Sequence, residues 1–127
     1  GLLHPTFKSK YEFETSSKLW HIVESPVSNH IFVVLSGDSE TPGSAGVACL
    51  SYDSNGVLDL EWETTNSSFD TLHGITASSD GSLLYVSSRG NGSVYVFDAN
   101  TGALLSTSSG VDMMIGSSTG IAVTQSQ

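Results

Sequence analysis

The chain carries one four-part unit twice, and that duplication limits its possible folds more than any other feature. The plainer copy is LHGITASSDGSLLYVSSRGNGSVYVFDANTGALLSTSS, residues 72–109. It divides into four short runs, HGITA, SLLYVSS, SVYVFD and ALLSTS, at Asp80-Gly81, Gly90-Asn91-Gly92 and Asn100-Thr101-Gly102. Runs of this length, bounded by Gly, Asn and Asp, read as antiparallel strands joined by tight turns.

The other copy is longer in the middle. LWHIVESPVSNHIFVVLS (19–36) aligns with LHGITASSDGSLLYVSS (72–88) at an offset of 53, setting Ser25 opposite Ser78 and Phe32-Val33 opposite Tyr85-Val86. The loop GDSETPGSAG (37–46) follows, then VACLSYD, a turn at Ser54-Asn55-Gly56, and VLDLEWE. A self-similar four-strand unit of about 40–50 residues points to β-propeller blades, which bury their faces only by stacking. An immunoglobulin-like sandwich is the rival, but it explains neither the repeat nor the meander order.

Two partial copies flank these units. YEFETSS (11–17) repeats LEWETTNSS (60–68), so Tyr11–Thr15 is expected to be the outermost strand of a blade. Gly120–Val123, within STGIAVTQSQ (118–127), matches Gly74–Ala77, the start of another inner strand. The expected fold is all-β, a partial β-propeller with two complete four-stranded blades and an incomplete blade split between the termini. Its divisions are 1–17 (outer strands of the split blade), 18–66, 67–109 and 118–127 (the next inner strand). Two blades plus a composite fall short of the four to eight that close a ring. Copies are therefore expected to join head to tail as a homo-oligomer or polymer, or the chain is a segment of a longer propeller. The expected junction joins Leu2, Leu3, Phe7, Tyr11 and Phe13 of one chain to Ile121 and Val123 of another by strand addition.

Charge narrows the partners. Thirteen Asp and Glu against four Lys and Arg leave a net charge of −9, the wrong sign for a nucleic-acid backbone or an anionic membrane surface. No apolar run approaches the ~20 residues of a membrane span, so insertion is not expected. The single cysteine, Cys49 in GVACLSY, reads as a buried strand thiol. Asn66-Ser67-Ser68 and Asn91-Gly92-Ser93 fit the glycosylation pattern at Asn66 and Asn91, and the chain opens on Gly1 rather than Met. The expectation is a secreted protein, extracellular or periplasmic.

The stretch HGITASSDGSLLYVSSRGNGSVYVFDANTGALL (73–105) resembles a blade of the YVTN and lactonase-type propellers. Their repeats read His-Gly-Ile, a Ser-Pro-Asp-Gly turn, Leu-Tyr-Val-Ser-Asn, then Val-Phe-Asp before Thr-Gly. This chain has Ser79 where Pro is usual and Ser88 where Asn is usual. For lactonase-like members the resemblance implies a cleft with an inner-strand His and a following Arg, which fall on His73 and Arg89. Such a pair suits water activation and oxyanion stabilisation, while an ion pair of Arg89 with Asp80 or a loop carboxylate is the structural alternative.

His21 and His73 begin successive inner strands, one residue out of step, and form a candidate transition-metal pair; His4 and His30 are weaker candidates. Asp38, Glu40, Asp53, Asp59, Asp98 and Asp112 include no calcium-loop run, and no nucleotide-binding glycine loop is present. No cofactor is expected. The leading reading is a non-catalytic structural or binding module, with the hydrolase at His73 and Arg89 as its alternative.

Overall fold

The computed structural model describes residues 10–13, 19–37, 43–69, 71–90 and 92–108. Among these every regular element is a strand: β1 (Leu19–Glu24), β2 (His30–Leu35), β3 (Gly46–Tyr52), β4 (Leu58–Thr65), β5 (Leu72–Ala77), β6 (Leu83–Ser88), β7 (Val94–Asp98) and β8 (Leu104–Ser108). They form two antiparallel four-stranded sheets, β1-β2-β3-β4 and β5-β6-β7-β8, each a simple meander. The chain is all-β and propeller-like in its sheet arrangement, as the alternating runs predict.

Turn chemistry sets each meander. Asp80 Oδ1 accepts from the Ser78 and Ser82 hydroxyls and from the Ser82 N–H, tying the β5–β6 turn. Asp53 Oδ1 takes the Asn55 and Val57 N–H groups, and Asp98 Oδ1 those of Asn100 and Thr101. Short acidic side chains bonding the backbone two to four residues on are what favour Asp in turns.

The repeat extends to the register. Ile22 lies opposite Val33 as Ile75 lies opposite Val86, and Val23 opposite Phe32 as Thr76 opposite Tyr85. Both sheets also break regular pairing at the same places. The inner pair slips between Leu19 and His21 as between Leu72 and Gly74; the outer pair slips at Cys49/Leu50 as at Val96/Phe97. A bulge adds one residue on one strand and sharpens the twist, so matched bulges give the two sheets matching curvature.

The sheets stack front to back. Val23, Phe32, Val34, Val47, Cys49 and Trp62 of the first sheet share the core with Leu72, Ile75, Leu84, Val86, Tyr95 and Phe97 of the second. By register, the second-sheet counterparts of Phe32, Val34, Val47 and Cys49 are Tyr85, Ser87, Val94 and Val96, on the face turned away from the first sheet. Two sheets related in this way use different surfaces for one contact, as successive blades do. Phe69, from the β4–β5 connection, closes the core against Tyr95 and Phe97 with ring centroids 4.9 and 5.8 Å away.

Side chains of the first sheet also reach backbone groups of the second. Trp62 Nε1 donates to Ala99 O at 3.0 Å and Thr64 Oγ1 to Gly102 O at 2.7 Å, while His21 Nδ1 accepts from Ile75 N at 3.2 Å. Gly102 has φ +80°, and a Cβ there would stand 2.4 Å from Trp62 Cε3, so glycine both permits the turn and admits the indole.

One expectation is modified. Tyr11–Thr15 is an outer strand by sequence, yet Lys10–Phe13 lie outside any strand, and Glu14 and Thr15 lie outside the described residues. A strand needs ladder partners, and no described strand pairs with this segment. Tyr11 and Phe13 instead pack edge to face, 4.9 Å apart, beside the first sheet. Leu2, Leu3, Phe7, Ile121, Val123 and the whole of 118–127 also lie outside the described residues.

Candidate functional site

The surface that distinguishes this molecule is the front face of the first sheet. Leu19 and Ile22 occupy the register positions of Leu72 and Ile75, and the residue classes match. Leu72 is 0% and Ile75 2% exposed, because they meet the first sheet; Leu19 is 55% and Ile22 60% exposed. Trp20, Leu60 and Val57 add to the exposed apolar surface. Such patches mark interaction sites, since a soluble surface rarely leaves large apolar side chains grouped in the open.

Two clefts mark this face. One, of about 440 Å³, is bordered by Tyr11 and Phe13 together with Leu19, Ile22, Val33, Leu50 and Leu58. The other, of about 430 Å³, is lined by Glu24, Ile31 and the Tyr52–Gly56 turn. They adjoin, because Ile31 pairs with Leu50 and Tyr52 with Leu58 across the ladders. At the second cleft Tyr52 Oη donates to Glu24 Oε2 at 2.7 Å, which holds the phenol protonated and raises its pKa.

Of the sequence-derived candidates, Tyr11, Phe13 and His21 border the larger cleft, whereas His73 and Arg89 belong to the second sheet. His21 is engaged through Nδ1 by the Ile75 N–H, leaving Nε2 as the nitrogen that can carry its proton. The one-residue slip between His21 and His73 is real: His73 falls in the β5 bulge, and Trp20 falls in the matching β1 bulge. Those two rings lie 5.1 Å apart at 53°. Among the described residues no three His, Cys, Asp or Glu side chains group as a metal set.

Arg89 N donates to Thr71 O at 2.9 Å, so the β5–β6 ladder brings Arg89 to the same end of the sheet as His73. Asp80 precedes β6 and Arg89 follows it, so the strand separates them and Asp80 bonds serines instead. Of the glycosylation candidates, Asn66 is exposed with its Oδ1 accepting from Ser68 N and Oγ, both at 2.8 Å. Asn91 lies outside the described residues, as do His4, Asp38, Glu40 and Asp112.

Cys49 is buried as expected, between Phe32 and Trp62 in the register. Burial, reinforced by the Glu61 carboxylate, pushes its thiol up to about 12. A neutral thiol in that setting is a core side chain rather than a nucleophile. Sequence reasoning missed Trp62 and Thr64 as cross-sheet donors. The signal present was the alternation of Trp62 and Thr64 about Glu63, but nothing in it named their acceptors.

Sheet order and register together define an all-β arrangement of two antiparallel four-stranded sheets, propeller-like in how they stack. Compared with known proteins, the chain matches no family model and no curated relative.

Proposed function

We propose that the chain is a secreted, non-catalytic propeller segment that acts as a structural or binding module by head-to-tail stacking of blades, in a ring or a filament. The observation that carries this reading is the pairing of Leu19 and Ile22, exposed, with Leu72 and Ile75, buried at the same register positions. A face built alike in both sheets and covered in only one calls for a further sheet, from another copy or from another part of a longer chain. The strong acidity and the exposed Asn66 site support an extracellular setting.

Sedimentation across a concentration series tests the stacking. The parent is expected above its 13.3 kDa chain mass at high concentration. Ile22→Glu, on an exposed strand position, is expected to return it to monomer with an unchanged β-sheet circular dichroism spectrum. A parent that stays monomeric at every concentration removes self-stacking. The hydrolase alternative has one favouring observation, the common end of the ladder shared by His73 and Arg89. Lactone turnover by the parent, lost in both His73→Ala and Arg89→Ala, would establish it.

A further inference from the structure

We infer that the segment Lys10–Phe13 is a displaceable cover over the front face of the first sheet, seated where a further blade has to sit, so that stacking begins with its release. The inference rests on the stacking reading and adds to it the control of that face.

The cover shows in how the two front faces are closed. Leu19, Ile22, Val33 and Leu50 hold the register places of Leu72, Ile75, Val86 and Phe97. In the second sheet, which meets the first, none of the four is more than 2% exposed. On the first sheet only the two middle positions are closed, Val33 at 3% and Leu50 at 5%, and they border the cleft of about 440 Å³ beside Tyr11 and Phe13. Leu19 and Ile22 border the same cleft from the edge strand β1 and stay open. A stacked blade covers middle and edge together. It cannot seat fully while the two rings hold the middle.

The segment is held in a way that lets it go. Tyr11 and Phe13 are half-buried and Glu12 between them is exposed, so both rings fall on the side of the sheet, edge to face with centroids 4.9 Å apart. Lys10–Phe13 stand in no ladder, and the Lys10–Glu12 ion pair at 2.7 Å is internal to the segment, with side chains 81% and 74% exposed. An exposed pair of that kind contributes little and ties the segment to nothing else. In sequence Phe13 holds the place of Trp62, YEFET against LEWET, and Trp62 is the ring that the first sheet lays on the β7–β8 turn of the second. The chain thus sets before its first sheet a stand-in for the outer strand of a preceding blade, with the rhythm of that strand and without its ladder.

A face open only part of the time binds more weakly in proportion to its open fraction, so a cover seated about nine-tenths of the time raises the apparent dissociation constant about tenfold. The full chain carrying both Tyr11→Ser and Phe13→Ser is therefore expected to self-associate about tenfold more tightly than the parent in sedimentation across a concentration series. Taking two large apolar side chains off a surface ordinarily weakens association, so a gain is not a generic effect. In dilute, monomeric samples the methyl resonances of Val33 and Leu50 are expected to shift when the rings are removed, with those of Val86 unmoved. Methyls that do not shift overturn the inference. So does equal association of parent and variant, and weaker association of the variant would make the segment part of the junction instead of its cover. In each of these cases a parent that associates leaves the stacking reading standing. Parent and variant that both stay monomeric at every concentration overturn the stacking reading and the cover together.

Discussion

Asp80 shows how much one turn residue settles. Three hydrogen bonds to Oδ1, from Ser82 Oγ, Ser78 Oγ and Ser82 N, hold its carboxyl down at about 2. A carboxylate of depressed pKa adds stability that is fully present above its unfolded value near 3.9 and is lost as pH falls through about 2. Carbon-detected titration of Asp80 should give a midpoint near 2; an ordinary midpoint near 4 would mean that the serine bonds are not made in solution. Cys49 runs in the opposite sense. Its raised pKa adds stability that is complete below the unfolded value of ~8.5 and is lost as pH rises toward 12. Iodoacetamide at pH 8 should therefore leave the native thiol unmodified and label it in concentrated urea. Equal labelling rates in both conditions would contradict its burial. The sequence made both residues legible in kind, an Asp-Gly turn and an apolar-flanked thiol. It could not show the serine cage, since Ser78 and Ser82 acquire that role only when the turn folds.

At the scale of the element, Trp62 and Thr64 make β4 more than an edge strand. Their face carries the cross-sheet bonds to the β7–β8 turn, whereas Leu104–Ser108 of β8 carry none and are exposed throughout. Trp62→Ala removes the indole packing and the bond to Ala99 O and is expected to cost about 3 kcal/mol, while Trp62→Phe keeps most of the packing and should cost about 1 kcal/mol. Urea denaturation followed by circular dichroism would measure both; equal, near-zero costs would mean that the sheets do not depend on this contact. The strands themselves were readable from alternation and turn residues because both signals are local. The bulges were not, since one extra residue in a strand is visible only against its partner. That is why the His21 and His73 offset looked like a slip in alignment and proves to be the same bulge, filled by Trp20 in one sheet and His73 in the other. Lys10–Phe13 stand outside any described strand for the converse reason: the sequence has the right rhythm, but a ladder requires a neighbour.

For the whole molecule the decisive fact is the direction of stacking. One sheet's back meets the other's front, so neither sheet's outward surface is a copy of the surface it has already used. The same fact governs the order in which structure forms. Every ladder joins strands adjacent in sequence, whereas the contacts between β1 or β2 and β5 reach across some 50 residues. Loop-closure entropy favours the near pairings, so each meander assembles before the two meet. Native-state hydrogen exchange should then show the interior strands β2, β3, β6 and β7 as the slowest to open and β8 as the fastest, with an intermediate class lost together when the sheets part. A single exchange class across all eight strands would mean that neither sheet has standing of its own. If the classes separate, each sheet is a unit of time as well as of space. The chain then learns its fold twice, and the Trp62 contact marks the moment when the two become one.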